Sequence, residues 1–370
     1  MPRTTISQRQ PQCEPGWRDG LAWLVAPMPL DVFLRDHWRG QRAVHIPAAA
    51  SKIEGFYSLA AHHAAIARIR PSHVRAAYGD ASPEQPSLGL EQALEHFGRG
   101  ATICVTTLNA GDAVLSELCE ILNRQLVSPD RFYVNSYYSP AGQGFGIHYD
   151  PQSVWIVQIE GRKRWRFSRT PAVEYPLEGT TGMLHAAGGG RVPERGQLAC
   201  ADLSPGDVLY LPPGTWHRGE ALGGSSFALS LSQPHAGVLP ILDRVLATRF
   251  QSVDWHRHFP AAVDGAPAID AHLLGALGEL HSITLDELRD AWSTLAIAGT
   301  PNPLLTFDRG DDVLFYAAGR RYTLPAICRA LFDAMRERDV ARTEALALLG
   351  DDEALLADLV QIGAWPEEVG

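Results

Sequence analysis

Between Ala101 and about Gln233 the chain is a succession of short β-rich runs, ATICVTT, RFYVNSYYS, GFGIHYD, SVWIVQI, KRWRFS, GDVLYLP and SFALSLS, broken by Gly and Pro. Many short strands with frequent turn signals predict a sandwich or barrel. One helix, GDAVLSELCEILNRQL, interrupts them. Upstream, Leu30, Phe33, Leu34 and His37 recur at helical spacing, so a helix over Leu30–Trp38 is expected to lead into a short strand from Ala43 to Ile46. Between Leu59 and Gly98, LAAHHAAIARI and LEQALEHF read as helices separated by a Pro/Ser-rich loop from Tyr78 to Ser87, a stretch expected to cover the outside of the barrel.

The flanks divide the rest. Residues 1–20 are polar with scattered prolines and are expected to form a flexible arm, leaving 21–235 as the barrel domain with its flanking helices. Residues 236–300 are helical in character (LPILDRVLATRF, AIDAHLLGALGEL, TLDELRDAWSTLA). Residues 301–370 combine strand-like DDVLFYAA and RYTLP with the helices PAICRALFDAMRER and DEALLADLVQIGAW, a mixture similar to a small winged-helix domain. A chain of 370 residues exceeds the usual single domain, which agrees with this division. Formal net charge is −10, which disfavours a general nucleic-acid binder that works by phosphate neutralisation and suits a basic protein or peptide partner. Cys13, Cys104, Cys119, Cys200 and Cys328 include no CxxC pair, arguing against a zinc ribbon, a redox dithiol or a disulfide framework, and are expected as reduced core residues. Neither a signal-peptide stretch nor an apolar run of bilayer length is evident, so the expected location is cytoplasmic, with no membrane partner.

The chemistry concentrates around two histidines. In GFGIHYD, His148 and Asp150 stand two apart, so on a strand both side chains point to one face and can share a metal. His217, in GDVLYLPPGTWH, follows a strand ended by a Pro-Pro-Gly turn that can aim its imidazole back into the barrel. Two imidazoles and a carboxylate suit Fe(II) in a way that thiolate does not, and they leave positions open on an octahedral ion. With Gly142, Gly206, Pro212 and Gly214 at their spacings, these residues resemble the two cupin motifs, except that Ala221 stands where an Asn is common. In KRWRF, alternation puts Lys163, Trp165 and Phe167 on one face and Arg162, Arg164 and Arg166 on the other. An inward lysine is costly unless paired, and the distal carboxylate of 2-oxoglutarate would pair it. The opposite reading, with the arginines inside, leaves Lys163 on the surface.

The segment NSYYSPAGQGFGIHYDPQSVWIVQIEGRKRWRF resembles the core of JmjC-type oxygenases, closest to the ribosomal oxygenase branch. The resemblance implies an α+β fold: a double-stranded β-helix (cupin/JmjC jelly-roll barrel) with flanking helices, then a helical dimerisation region and a winged-helix-like C-terminal domain. It implies Fe(II) on His148, Asp150 and His217, with 2-oxoglutarate as co-substrate on Lys163, assisted by Asn135, with Tyr137 as its same-face neighbour, and by Ser230. It implies hydroxylation of a C–H bond on a residue of a ribosomal or other protein or peptide, by a homodimer, without direct nucleic-acid binding.

Tyr138, Tyr149 and Trp155 are candidate substrate-side aromatics, with ordinary barrel packing as the alternative. A small-molecule or RNA substrate, N-demethylation, and a non-redox metal-binding cupin remain open. The inward Lys163 argues against the last of these. A DNA-reading C-terminal unit is disfavoured by net charge and by the lack of a basic recognition helix.

Overall fold

The computed structural model describes residues 16–365 except 80–84, 127–130, 175, 177–192, 236, 250–265, 298–304, 310–311, 318–319, 338–339 and 363. Cys13 and most of the expected N-terminal arm lie outside the described residues. Where the arm was expected to continue, residues 16–19 form a helical turn whose Trp17 is buried, and Arg18 pairs with Glu117 at 3.0 Å. A large aromatic side chain gains too much from burial to stay loose. The chain divides into two compact units, Met1–Leu122 with Phe132–Pro234, and Asn123–Arg131 with His235–Gly370.

The first unit is built on a nine-stranded antiparallel sheet. Its strands are β1 (Val44–Ile46), β2 (Val74–Ala77), β3 (Gln85–Pro86), β4 (Thr102–Val105), β5 (Tyr133–Ser139), β6 (Ser153–Phe167), β7 (Ala199–Leu203), β8 (Val208–Leu211) and β9 (His217–Gln233). The order is β1-β8-β6-β9-β5-β4-β2-β3, with β7 also paired to β6. Two expectations change. SVWIVQI and KRWRFS, taken as separate strands, are one strand, β6, because the Gly at 161 makes an irregularity in the ladder and does not end it: the β6–β9 register shifts between Gln158, Glu160 and Arg162. Likewise His217 opens β9, which runs on through SFALSLS. The stretch assigned to the outside of the barrel does hold the helices Leu59–Ile66 and Leu90–Gly98, but between them β2 and β3 extend the sheet beyond β4.

Those irregularities let β6 and β9 serve two layers. The first half of β6 pairs with β8 and the second half of β9, whereas its second half pairs with β7 and the first half of β9. Val154 and Ile156 from one half pack in a single buried cluster with Trp165 and Phe167 from the other, joined by Leu203, Leu209, Leu211 and Ala228. Each of the valine, isoleucine, leucine and phenylalanine side chains among them contributes about 1.5–3 kcal/mol when fully buried. A two-layer barrel results, as expected. Of the described cysteines, Cys104, Cys119 and Cys328 are buried, whereas Cys200 is exposed because its neighbours Ala199, Ala201 and Leu203 take the inward positions of β7.

His62 locks the helix Leu59–Ile66 onto the sheet. Its Nε2 lies 2.8 Å from Ser136 Oγ and its ring packs on Phe227. Burial pushes its pKa down to about 3. Such a histidine is protonated in the unfolded chain below its ordinary pKa but not in the folded one, so stability falls as pH drops below about 6.5, by up to about 1.4 kcal/mol per pH unit. The denaturation midpoint is expected to decline more steeply between pH 6.5 and 5 in the native sequence than in His62→Gln, which retains a partner for Ser136; equal slopes would contradict this.

In the second unit the helices Leu239–Arg249, Ala266–His281 and Leu285–Ile297 appear as the periodicity predicts. A three-stranded antiparallel sheet follows, β10 (Leu305–Arg309), β11 (Asp312–Ala317) and β12 (Arg320–Pro325), and then the helices Cys328–Glu337, Arg342–Leu348 and Glu353–Gln361. Sequence reading missed β10 and the helix Arg342–Leu348. Val313, Phe315, Leu331, Phe332, Leu356 and Trp365 share one core. No helix among the described residues is long and apolar enough to cross a membrane.

Candidate active site

Two segments meet at the mouth of the barrel. His148 and His217 form an isolated antiparallel bridge, the His148 amide donating to the His217 carbonyl at 3.0 Å and the His217 amide to the His148 carbonyl at 2.7 Å. Directly opposed residues on antiparallel segments present their side chains to one face. The two rings accordingly lie with centroids 4.2 Å apart. Sequence reasoning placed His148 and Asp150 on a regular strand; GFGIHYD instead holds the sheet through this bridge and scattered bonds such as Gly142 N to Ala221 O at 2.9 Å. The shared face survives. One donor atom from each of His148, Asp150 and His217 lies within 4.8 Å of the others.

The Pro-Pro-Gly turn does the aiming. Gly214 has φ +73°, and a Cβ there would come 1.9 Å from the Val173 carbonyl oxygen, so only glycine makes this turn. Its amide donates to the Asp150 carbonyl at 2.8 Å, tying the turn to the segment that carries His148 and Asp150. Each histidine is then fixed by its far nitrogen. Nδ1 of His148 lies 2.8 Å from Gly146 O, and Nδ1 of His217 lies 2.8 Å from Thr215 O. A carbonyl only accepts, so Nδ1 carries the proton in both rings and Nε2 is left with its lone pair for a metal. Nε2 of His217 faces Asp150 Oδ2 at 3.6 Å. Burial, followed by the neighbouring His148, pushes His217 down to about 4, which keeps it in the neutral form that a metal requires at pH 7. Two imidazole nitrogens and a carboxylate, with no thiolate, are a donor set that fits Fe(II).

Lys163 lies on the same inner face, as the alternation of KRWRF predicts. It is 1% exposed, while Arg164 pairs outside with Asp202 at 2.6 Å. Its Nζ donates to Ser139 Oγ at 3.1 Å and stands 5.8 Å and 5.4 Å from the ring centres of Tyr137 and Trp165. Burial pushes it down to about 8. Among the described residues no carboxylate pairs with it. A buried ammonium so placed fits the distal carboxylate of a dicarboxylate co-substrate.

The pocket is lined by Tyr137, Phe145, His148, Asp150, Val154, Ile156, Lys163, Trp165, His217 and Ser230. Its cavity is about 20 Å³, room for one water, so a larger guest requires lining side chains to move. Ser230 thus lines it, opposite Asn135 in the β5–β9 register. Asn135 itself uses its Oδ1 to accept from the Thr107 amide at 3.1 Å, and its neighbour Tyr137 is the pocket residue. The three proposed substrate-side aromatics are elsewhere. Trp155 is fully buried against Trp38 and Tyr210, Tyr138 stacks on Phe97 at 4.0 Å, and Tyr149 packs edge-on against Trp216. Each is one residue out of phase with a pocket residue, and in extended chain that puts it on the opposite face. The same parity would have found Val154 and Ile156; Phe145, in an irregular segment, carried no such signal.

Residues 112–238, which carry the converging His148, Asp150 and His217, match the JmjC domain. Within that class the chain is similar to ribosomal oxygenases. It is 28% identical over 216 residues to the Drosophila persimilis bifunctional lysine-specific demethylase and histidyl-hydroxylase NO66, covering 54% of this chain and 29% of that protein. It is 27% identical over 290 residues to Bos taurus ribosomal oxygenase 1, covering 73% of this chain and 40% of that one. The chain thus spans well under two thirds of these relatives. Among solved structures it aligns with YcfD, a ribosomal oxygenase from Escherichia coli in complex with cobalt and 2-oxoglutarate, with a TM-score of 0.52 and 21% identity over 92% of this chain and 98% of that one. At that identity the likeness speaks to the fold.

Proposed function

We propose that the protein is an Fe(II)- and 2-oxoglutarate-dependent oxygenase that hydroxylates a C–H bond on a residue of a ribosomal or other protein or peptide. The observation that carries this reading is the pairing, on one inner face, of a His–Asp–His donor set with an otherwise uncompensated buried lysine. His148, Asp150 and His217 would hold the metal and Lys163 would anchor the co-substrate's distal carboxylate, with Ser230 and Tyr137 lining its path. When bound, Fe(II) with 2-oxoglutarate and O₂ supplies the oxidising power that replaces C–H by C–OH, releasing succinate and CO₂. The chain's own task is to fix ligand orientation through Gly146 and Thr215 carbonyls, to keep His217 neutral, and to enclose the reacting carbon in an apolar wall of Phe145, Val154 and Ile156.

The names of the relatives support a ribosomal protein as substrate, and net charge −10 suits a basic one. A cytoplasmic location and the lack of direct nucleic-acid binding belong to the same proposal, and the net charge of −10 supports the latter. Incubation with Fe(II), 2-oxoglutarate and purified ribosomal proteins is expected to add one oxygen to a single peptide, read by mass spectrometry; succinate formation with no protein modified would redirect the search to small molecules or RNA.

The second unit belongs to the same proposal. Leu274 (66% exposed), Leu277 and Leu285 leave apolar surface on the helices expected to dimerise. The sheet and helices after residue 305 support a winged-helix-like domain. A homodimer is expected by light scattering, and Leu274→Asp with Leu277→Asp is expected to yield a monomer; a monomeric native protein would contradict the assignment.

A further inference from the structure

The pocket contains a second polar group that the anchoring lysine does not use. Trp165 is 4% exposed, and its indole Nε1–H is buried with no hydrogen-bond acceptor. Leaving a buried donor unmade is costly, and tryptophan N–H groups inside proteins usually find a partner. The ring lies between the two halves of the site, 5.4 Å from Lys163 Nζ and with its centroid 6.0 Å from that of His217. It packs over Gly219, where an added Cβ would come 3.0 Å from Lys163 Cε and 3.2 Å from Trp165 ring atoms. A side chain at 219 would therefore displace both. Glycine there lets lysine and indole lie flat together against β9.

We infer that Trp165 is a co-substrate-binding residue whose indole N–H donates to a carboxylate oxygen of the dicarboxylate held by Lys163. This rests on reading the site as an Fe(II)/2-oxoglutarate centre. The unpaired donor exists because its acceptor belongs to the ligand. Trp155 also has an indole N–H without a partner, but its ring packs on Trp38 and Tyr210 and is not part of the pocket lining, and so it serves as a control.

The test is calorimetric titration of 2-oxoglutarate into the full-length Mn(II)-loaded protein, which binds without turning over. Trp165→Phe is expected to weaken 2-oxoglutarate about ten- to a hundredfold while leaving Mn(II) affinity unchanged, as suits the loss of a hydrogen bond to a charged acceptor. Trp155→Phe is expected to bind as the native protein does. If Trp165→Phe does not fold, Trp165→Leu, which also lacks the indole N–H, is expected to weaken the co-substrate in the same direction. Native affinity in a folded Trp165→Phe, or in Trp165→Leu where it stands in, would overturn the inference and leave the oxygenase reading intact. Failure of the native protein to bind 2-oxoglutarate would overturn the reading beneath it.

Discussion

Asp150→Ala is expected to abolish turnover and to weaken Fe(II) binding by at least about a hundredfold, since even losing an outer-sphere partner of a metal ligand costs ten- to a hundredfold. The fold should survive. The Asp150 side chain is 28% exposed and its carbonyl, not its carboxylate, holds the Gly214 turn. Circular dichroism and the melting midpoint are therefore expected to match the native protein in the absence of metal. The difference should appear when Fe(II) is added: the native protein gains stability by mass action, and the variant does not. Full activity in Asp150→Ala would remove the metal assignment altogether.

Lys163→Met is expected to act in opposite directions on stability and on co-substrate. In the free protein the native ammonium is buried with one neutral partner, and its pKa is lowered from 10.5 to about 8. The folded state therefore releases the proton at lower pH than the unfolded state does. Native stability rises with pH between about 8 and 10.5 for this group, and below 8 the full penalty applies, roughly 3 kcal/mol at most. Methionine fills similar space without a charge, so at pH 7 the metal-free variant is expected to be more stable than the native protein, with the gain vanishing above pH 10.5. Adding metal and 2-oxoglutarate should reverse the ranking. Removing one partner of a buried, hydrogen-bonded charge pair costs about 2–5 kcal/mol, which corresponds to a rise of about thirtyfold or more in the co-substrate requirement. Metal content should change little. A variant that binds 2-oxoglutarate normally would show that Lys163 is buried for some other reason.

The site was largely legible because its chemistry follows period two. Lys163, Trp165 and Phe167 share a face in sequence and in the structure, and His148 with Asp150 do so even though their segment is not a regular strand. The error over Trp155, Tyr138 and Tyr149 came from choosing residues by type and proximity while ignoring the same parity. Strand boundaries were less legible. The Gly at 161 reads as a break in sequence, but the ladder crosses it by a register shift, which is how one strand reaches both layers. The four-residue strand VRAA offers too short a pattern to be seen, and it forms because β4 supplies an edge for it. The helix Arg342–Leu348 begins at Ala341, which makes no side-chain cap, so the usual start signal is missing. Its burial against the C-terminal core, through Ala345 and Leu349, comes from tertiary packing that a linear pattern does not display.

The most direct test of the central claim is anaerobic titration of the Fe(II)-loaded protein with 2-oxoglutarate, followed through the weak visible charge-transfer band of the chelate. The native protein is expected to show a saturable band, Lys163→Met one that needs a much higher co-substrate concentration, and Asp150→Ala none. Iron bound by the native protein with no band at any 2-oxoglutarate concentration would contradict the claim and make a non-redox metal-binding cupin the better description.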